Sequence, residues 1–190
     1  MPAIWPDYGN HKSAYSVPMA TLSDNSDSVA VIERQGAFID RDAWTAAGWC
    51  RLETAFEVIG TRSALVLLRE VFYGGTRFDE LVRRAGLSEA VAAGRLKDLV
   101  ACGVLTQRPY QDPGTRTRYE YVLTKAGAQL YPIVVALTQW GELLREDHET
   151  GVELVHEGCG AHLHAEVRCA QGHRVPLGSA VVRLKNEGNR

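Results

Sequence analysis

LVLLREVFYGGTRFDELVRRAGLSEAVAAGRLKDLVACGVLTQRPYQDPGTRTRYEYVLT, residues 65–124, is the stretch that decides the fold. Together with Ala64 its opening, residues 64–72, is apolar nearly all round, which predicts the central helix of a small bundle. Gly74-Gly75-Thr76 interrupts it, and residues 77–85 follow with Phe78, Leu81 and Val82 spaced to turn inward. Thr76-x-x-Asp79 has the form of a capping box, a hydroxyl followed three residues later by a carboxylate. Gly86-Leu87-Ser88 makes a second sharp turn, and Ser88 is a good N-cap for residues 89–102. There Ala92, Leu96 and Leu99 keep one face toward the core, and Gly103 stops the helix. Residues 104–110, the turn Gln111-Asp112-Pro113-Gly114 and residues 115–123 then read as a β-hairpin. Short helices followed by a hairpin predict a winged helix-turn-helix, mainly α with a β wing (α+β). Because that arrangement offers one helix and one ribbon to a DNA groove and its phosphates, the expected partner is double-stranded DNA.

Working outward, 190 residues suit one domain of ordinary size plus appendages. The net charge of -2 argues against a protein that coats nucleic acid by charge alone. Its distribution says more: residues 61–125 hold 11 Lys/Arg against 7 Asp/Glu, so the positive excess falls on the predicted DNA-binding stretch. No run of 18 apolar residues predicts a membrane span, and no basic stretch with an apolar core predicts a secretory signal. Four scattered cysteines do not make a disulfide framework, so a cytoplasmic protein with reduced thiols is expected. Neither a phosphate loop nor a nucleophile motif is present, and no enzyme activity is expected.

The flanks divide by composition. Residues 1–35 are expected to form a flexible N-terminal tail, since Pro, Gly, Ser, Asn and Asp are mixed there without an apolar period. Val29-Ala30-Val31-Ile32 reads as a short strand within it. Asp40 or Asp42 is expected to cap a helix running through Cys50 to Ile59, with Leu52, Ala55, Phe56 and Ile59 as one buried stripe. Downstream, Thr124 is expected to cap a long helix on which Leu130, Ile133, Val134, Leu137, Gly141 and Leu144 hold a helical period, kinked near Pro132. So apolar a helix at the end of a small domain predicts a homodimer seam, and residues 36–147 read as a winged helix DNA-binding and dimerisation domain. Residues 148–190 read as a small β-rich extension, zinc-ribbon-like in layout. Its alternating segments, 152–156, 162–169 and 174–184, are separated by turns at Gly158-Cys159-Gly160 and Gln171-Gly172.

The stretch from Trp49 to Leu144 resembles the HxlR-type family of bacterial winged helix regulators. The resemblance rests on Cys50 nine residues before Ile59-Gly60, Leu67-Leu68-Arg69-Glu70, Arg77-Phe78-x-Glu80-Leu81, Leu87-Ser88 and Arg95-Leu96-Lys97-x-Leu99. Gly103-Val104-Leu105, Arg118-Tyr119-x-Tyr121-x-Leu123-Thr124-x-x-Gly127 and Leu137-x-x-Trp140-Gly141 complete it. It implies a homodimeric repressor or activator on an operator of two half-sites, with the first and last helices forming the dimer contact. It also implies that the helix from Ser88 to Cys102 and the wing from Val104 to Leu123 meet the DNA.

Two features depart from that pattern. Ser63 stands where the family usually has a tryptophan, and the outward face of the recognition helix carries few long polar side chains. With Ala92, Leu96 and Leu99 turned inward, that face is Glu89, Ala90, Ala93, Gly94 and Lys97, of which only Lys97 and Glu89 can address a base edge. Ala90 and Ala93 can touch a thymine methyl, and Gly94 allows close backbone approach. Phosphate contacts by Arg77, Lys97, Arg116 and Arg118 are therefore expected to supply most of the binding, with sequence read through DNA shape. Arg116 and Arg118, two apart on the expected strand, would point to one side.

Cys50 occupies the place where redox-sensing members of the resembled family carry a cysteine, which makes it the redox-sensing candidate and an oxidant a candidate effector. If the helix begins at Asp40 or Asp42, however, Cys50 lies mid-helix, away from the positive end that favours a thiolate. In the extension, His156-x-x-Cys159 and Cys169-x-x-x-His173 are two turn-flanked pairs whose N/S donor set suits a structural zinc. A small-molecule effector is a further candidate, in a pocket between the dimer helices and the tail lined by Trp44, Trp49, Tyr131 or Trp140. The sparse groove face also motivates a second reading, a winged helix protein-interaction adaptor that has lost sequence-specific DNA readout.

Overall fold

Leu67, Leu68, Leu81, Leu96, Leu99 and Leu105 are sealed from solvent, and the elements that carry them define the core. The computed structural model describes residues 31–43, 45, 50–144 and 151–185. In chain order its elements are β1 (Glu33–Arg34), α1 (Arg51–Ile59), α2 (Arg62–Phe72), α3 (Phe78–Ala85), α4 (Glu89–Ala101), β2 (Leu105–Tyr110), β3 (Arg118–Leu123), α5 (Lys125–Ala128), α6 (Tyr131–Glu142) and β4 (Val181–Val182). They fall into two compact units. One is Gly48–Gln139; the other takes Met1–Ala47 with Trp140–Arg190. Of the expected tail, residues 1–30 lie outside the described residues, and residues 31–35 share a unit with the extension.

In the first unit α2 is the central helix, packed on α3 and α4, and the antiparallel pair β2–β3 closes the winged helix-turn-helix. Ala92, Leu96 and Leu99 all face the core, as their spacing predicts. The turn between α3 and α4 follows from Gly86, whose φ of 62° lies in the left-handed region that glycine enters at no steric cost. The amide of Leu87 donates to Val82 O and that of Gly86 to Arg83 O, closing the carbonyls at the end of α3. Gly103, at φ 76°, repeats the device at the end of α4: the amide of Val104 donates to Leu99 O, and that of Gly103 to Val100 O. Ser88 caps α4 by accepting from the amide of Val91 at 3.4 Å.

Several expectations need correcting. The N-cap of α3 is Arg77, without a side-chain cap, so Thr76-x-x-Asp79 is not a capping box; the Thr76 amide donates instead to Glu80 Oε2 at 3.4 Å. No single long helix follows Thr124. Its hydroxyl caps only the short α5, accepting from the Gly127 amide at 2.9 Å, and α6 starts afresh at Tyr131. Pro132 explains the break: its ring excludes the carbonyl four residues back and it has no amide to give, so it sits in the first turn of a new helix rather than inside an old one. The expected helix start at Asp40 or Asp42 also fails. Gly36–Ile39 is a 3-10 turn, the Asp42 amide donates to Asp40 Oδ1 at 3.1 Å, and α1 begins only after Cys50. The aspartate thus serves its own turn. On α1 only Ile59 of the expected stripe is buried, whereas Leu52 and Phe56 are 63% and 58% exposed.

In the second unit, residues 29 and 30 of the expected strand lie outside the described residues, and Val31 and Ile32 are not in a strand. The described strand is β1, Glu33–Arg34, which pairs in parallel with β4. The extension's longer strands contract to two minimal hairpins, around the bridges Val155↔His162 and Arg168↔Arg174. Val152, Val155 and Val167 remain exposed, so little burial supports more ladder. Among the described residues no helix is long and apolar enough to cross a membrane.

Two glycines test the packing. A Cβ added at Gly94 meets nothing, whereas one at Gly127 would run into the carbonyl of Val104. Gly94→Ala should raise stability by about 1 kcal/mol, from helix propensity alone. Gly127→Ala should lower it, through the steric conflict at that carbonyl. Urea denaturation of the two variants beside the parent reads both signs.

Candidate nucleic-acid interface

On α4 the outward residues Glu89, Ala90, Ala93, Gly94 and Lys97 are all exposed, as expected. Val91, in the first turn, is 48% exposed, although an apolar residue beside Ala92 reads as core. It adds a further apolar contact surface to a face already short of hydrogen-bonding groups. The Ser88 hydroxyl is committed to capping.

The wing is tied to the start of α3. Arg77 bridges Glu120 through the backbone, and the Tyr121 amide donates to Thr76 O at 2.8 Å, which adds a third edge to the hairpin. Arg77 is not a free cation. Its Nη2 donates to Asp112 Oδ1 at 3.0 Å, and its guanidinium lies 4.6 Å from the centroid of the Tyr110 ring. Arg108 is likewise held by Glu120 at 2.7 Å, and Arg84 by Glu80 at 2.6 Å. Among the described residues, by contrast, the side chains of Lys97, Arg116 and Arg118 have no carboxylate partner. Arg83, exposed near the end of α3, is a further uncommitted cation that the sequence reading passed over. Of the expected pair of wing arginines only Arg118 is on a strand, opposite Tyr110. Arg116 precedes β3, because the turn extends to Thr115, whose amide donates to Asp112 O at 3.1 Å. The same-side argument for the two therefore falls.

Cys50 is the N-cap residue of α1, half-buried and free, so it stands at the helix start rather than mid-helix. Cys102 is exposed, and its thiol donates to Leu99 O at 3.4 Å. In the extension His156 Nδ1 and Cys159 Sγ approach to 3.3 Å, and the Cys169 amide donates to His173 O at 3.0 Å. Each pair is thus drawn together by its own turn. Among the described residues no three His, Cys, Asp or Glu side chains gather in one place. Of the aromatic residues expected to line an effector pocket, Trp44 and Trp49 lie outside the described residues. Tyr131 lies against Phe72, with ring centroids 6.2 Å apart, and Trp140 is exposed. A shallow groove of about 210 Å³ runs instead between α2 and α6, walled by Leu65, Val66, Val134 and Leu137, with Arg69 and Thr138.

Residues 58–149 match the family model of the HxlR-like helix-turn-helix. A relative from Mycobacterium tuberculosis, an uncharacterized HTH-type transcriptional regulator, is 38% identical over 117 residues, covering 60% of this chain and 72% of its own. The chain belongs to the HxlR-like helix-turn-helix family. Another uncharacterized HTH-type transcriptional regulator, from Methanothermobacter thermautotrophicus, is 30% identical over 105 residues, covering 55% of this chain and 79% of its own. The crystal structure of PA1607, named as a candidate transcription factor, superposes with a TM-score of 0.64 at 30% identity, over 75% of this chain and 98% of that one. That of PA1374 from Pseudomonas aeruginosa, also named as a candidate transcription factor, gives 0.51 at 27% identity, over 73% and 94%. The family is one of helix-turn-helix transcriptional regulators, not enzymes, and this chain is accordingly a DNA-binding regulator.

One ionisable group in the wing is displaced from its ordinary range. The bond from Arg108 holds the Glu120 carboxyl below the usual glutamate value, with the Thr76 hydroxyl assisting. A depressed carboxyl stabilises the fold above its unfolded value and loses that contribution as pH falls through the folded value. Wing stability should therefore be intact at neutral pH and decline on acidification below the ordinary glutamate range. Glu120→Gln should flatten that part of the stability–pH profile, measured by thermal denaturation across acidic buffers.

Proposed function

We propose that two copies of this chain bind, as a homodimer, an operator of two half-sites, each through α4 with its caps Ser88 and Cys102 and through the wing from Val104 to Leu123. The observation that carries this reading is the division of labour among exposed side chains. The face of α4 offers Ala90, Val91, Ala93 and Gly94, while Lys97, Arg116 and Arg118 have no carboxylate partner among the described residues. Apolar side chains can meet thymine methyls but cannot fork onto guanine, so sequence is read mainly through DNA shape and the cations act on phosphates. Leu52 and Phe56 on α1 and Ile133 and Leu137 on α6, exposed in the protomer, support a second copy as the cover for these helices. In this reading Cys50 is the residue through which an oxidant would act.

A gel-shift titration against the DNA flanking the chain's own gene, beside random duplex, tests the DNA part. Arg116→Ala should weaken both DNAs to nearly the same extent and reduce the slope of log affinity against log salt by about 0.9, one phosphate contact. A loss confined to one operator base pair would show direct readout and sink the shape argument; no retention of any duplex would favour the adaptor reading. Repeating the titration with a mild oxidant on parent and Cys50→Ser removes Cys50 from the account if both respond alike.

Phe56→Asp should convert the dimer to a monomer in sedimentation velocity and cost most of the operator affinity. A parent that sediments as a monomer at micromolar concentration would overturn the two-half-site assembly.

A further inference from the structure

Asp112 opens the turn at the tip of the wing, where its carbonyl accepts from the Thr115 amide at 3.1 Å and from the Thr115 hydroxyl at 2.9 Å. Its backbone is thus committed, and its carboxylate reaches back to Arg77, 35 positions earlier in the chain. Arg77 is one of the four cations that the sequence assigns to the phosphate backbone. The Arg77–Asp112 pair differs from the other internal pair of the wing. Both of its side chains are about half exposed, 52% and 48%, whereas the Glu120 side chain that holds Arg108 is only 15% exposed. An exposed ion pair is weak and screened, so another anion can displace its carboxylate. The Tyr110 ring beneath the guanidinium is neutral and keeps Arg77 at the wing whichever anion it holds.

We propose that Asp112 is an intramolecular competitor for the DNA backbone, occupying Arg77 in the free protein and surrendering it to a phosphate when duplex arrives. The exchange breaks one guanidinium–carboxylate pair and forms one guanidinium–phosphate pair, so Arg77 adds less to affinity than an uncommitted arginine does. Asp112 thereby lowers the affinity of the regulator for DNA of any sequence. This inference rests on the DNA-binding reading above and concerns how strongly that interface acts.

The test is a double-mutant cycle on duplex binding at low salt, with the full chain. Asp112→Asn keeps the backbone bonds of the turn and removes the charge, and circular dichroism confirms that each variant is folded. In the parent background Asp112→Asn should tighten binding to operator and random duplex alike by about two- to five-fold, the strength of an exposed ion pair. In an Arg77→Gln background the same substitution should change affinity much less. An equal gain in both backgrounds would show simple repulsion between Asp112 and DNA, and overturn the exchange. No gain in the parent background, with parent binding intact, would overturn it too. A parent that retains no duplex would overturn the DNA-binding reading and this inference together.

Discussion

The carbonyl of Val104 is the point on which the winged helix-turn-helix depends. It accepts from the Thr124 amide at 3.1 Å and from the Thr124 hydroxyl at 3.2 Å, while the Val104 amide closes the end of α4 on Leu99 O. The same hydroxyl also reaches Gly103 O at 2.6 Å and caps α5. One residue thus joins the recognition helix, the first strand of the wing, the last strand and the helix that follows. Gly127 is required there because any side chain would occupy the space of that carbonyl. With Val104 and Leu105 buried, the root of the wing is fixed in the core, and from Thr106 to Pro109 its first strand is exposed.

That geometry changes how the charge of the segment should be counted. By composition, residues 61–125 carry a positive excess that suits a polyanion. In the folded chain Arg69, Arg77, Arg84, Arg95 and Arg108 are each paired with a carboxylate, so formal charge overstates what DNA meets. Lys97, Arg83, Arg116, Arg118 and Lys125 have no carboxylate partner among the described residues and are spread over α4, α3, the wing and α5. Pairing also separates two kinds of arginine. The Arg108–Glu120 pair, with its carboxyl held below the ordinary range, contributes to wing stability, whereas the exposed Arg77–Asp112 pair can be opened at small cost.

What could be read from the chain followed from how local each signal is. Ser88, Gly86 and Gly103 mark helix ends through hydroxyls and left-handed backbone that act within a few residues, and those boundaries hold. The triad Ala92, Leu96 and Leu99 holds because a period of 3.6 is a property of the helix itself. The failures concern competition between equally local options. Asp40 bonds the turn beside it instead of a helix, and Pro132 starts a helix instead of bending one. No sequence rule shows that a carboxylate 35 positions away will reach Arg77, so its side chain reads as open to phosphate. Val91 is hidden in the sequence for the opposite reason: its apolar character resembles that of its buried neighbour Ala92.

The misplaced stripe on α1 carries the most physical information. Leu52, Phe56 and Ile59 have the spacing of a buried face, yet only Ile59 is covered within the protomer. A pattern of this kind is shaped by everything the helix touches, including what the single chain lacks. Ile133 and Leu137 on α6 repeat the disparity, while Val135 beside them is buried. In the proposed homodimer, the apolar period that the protomer leaves half unfilled is what the second copy would cover. The same hydrophobic burial that sets the core would then be applied to two copies of the chain instead of one.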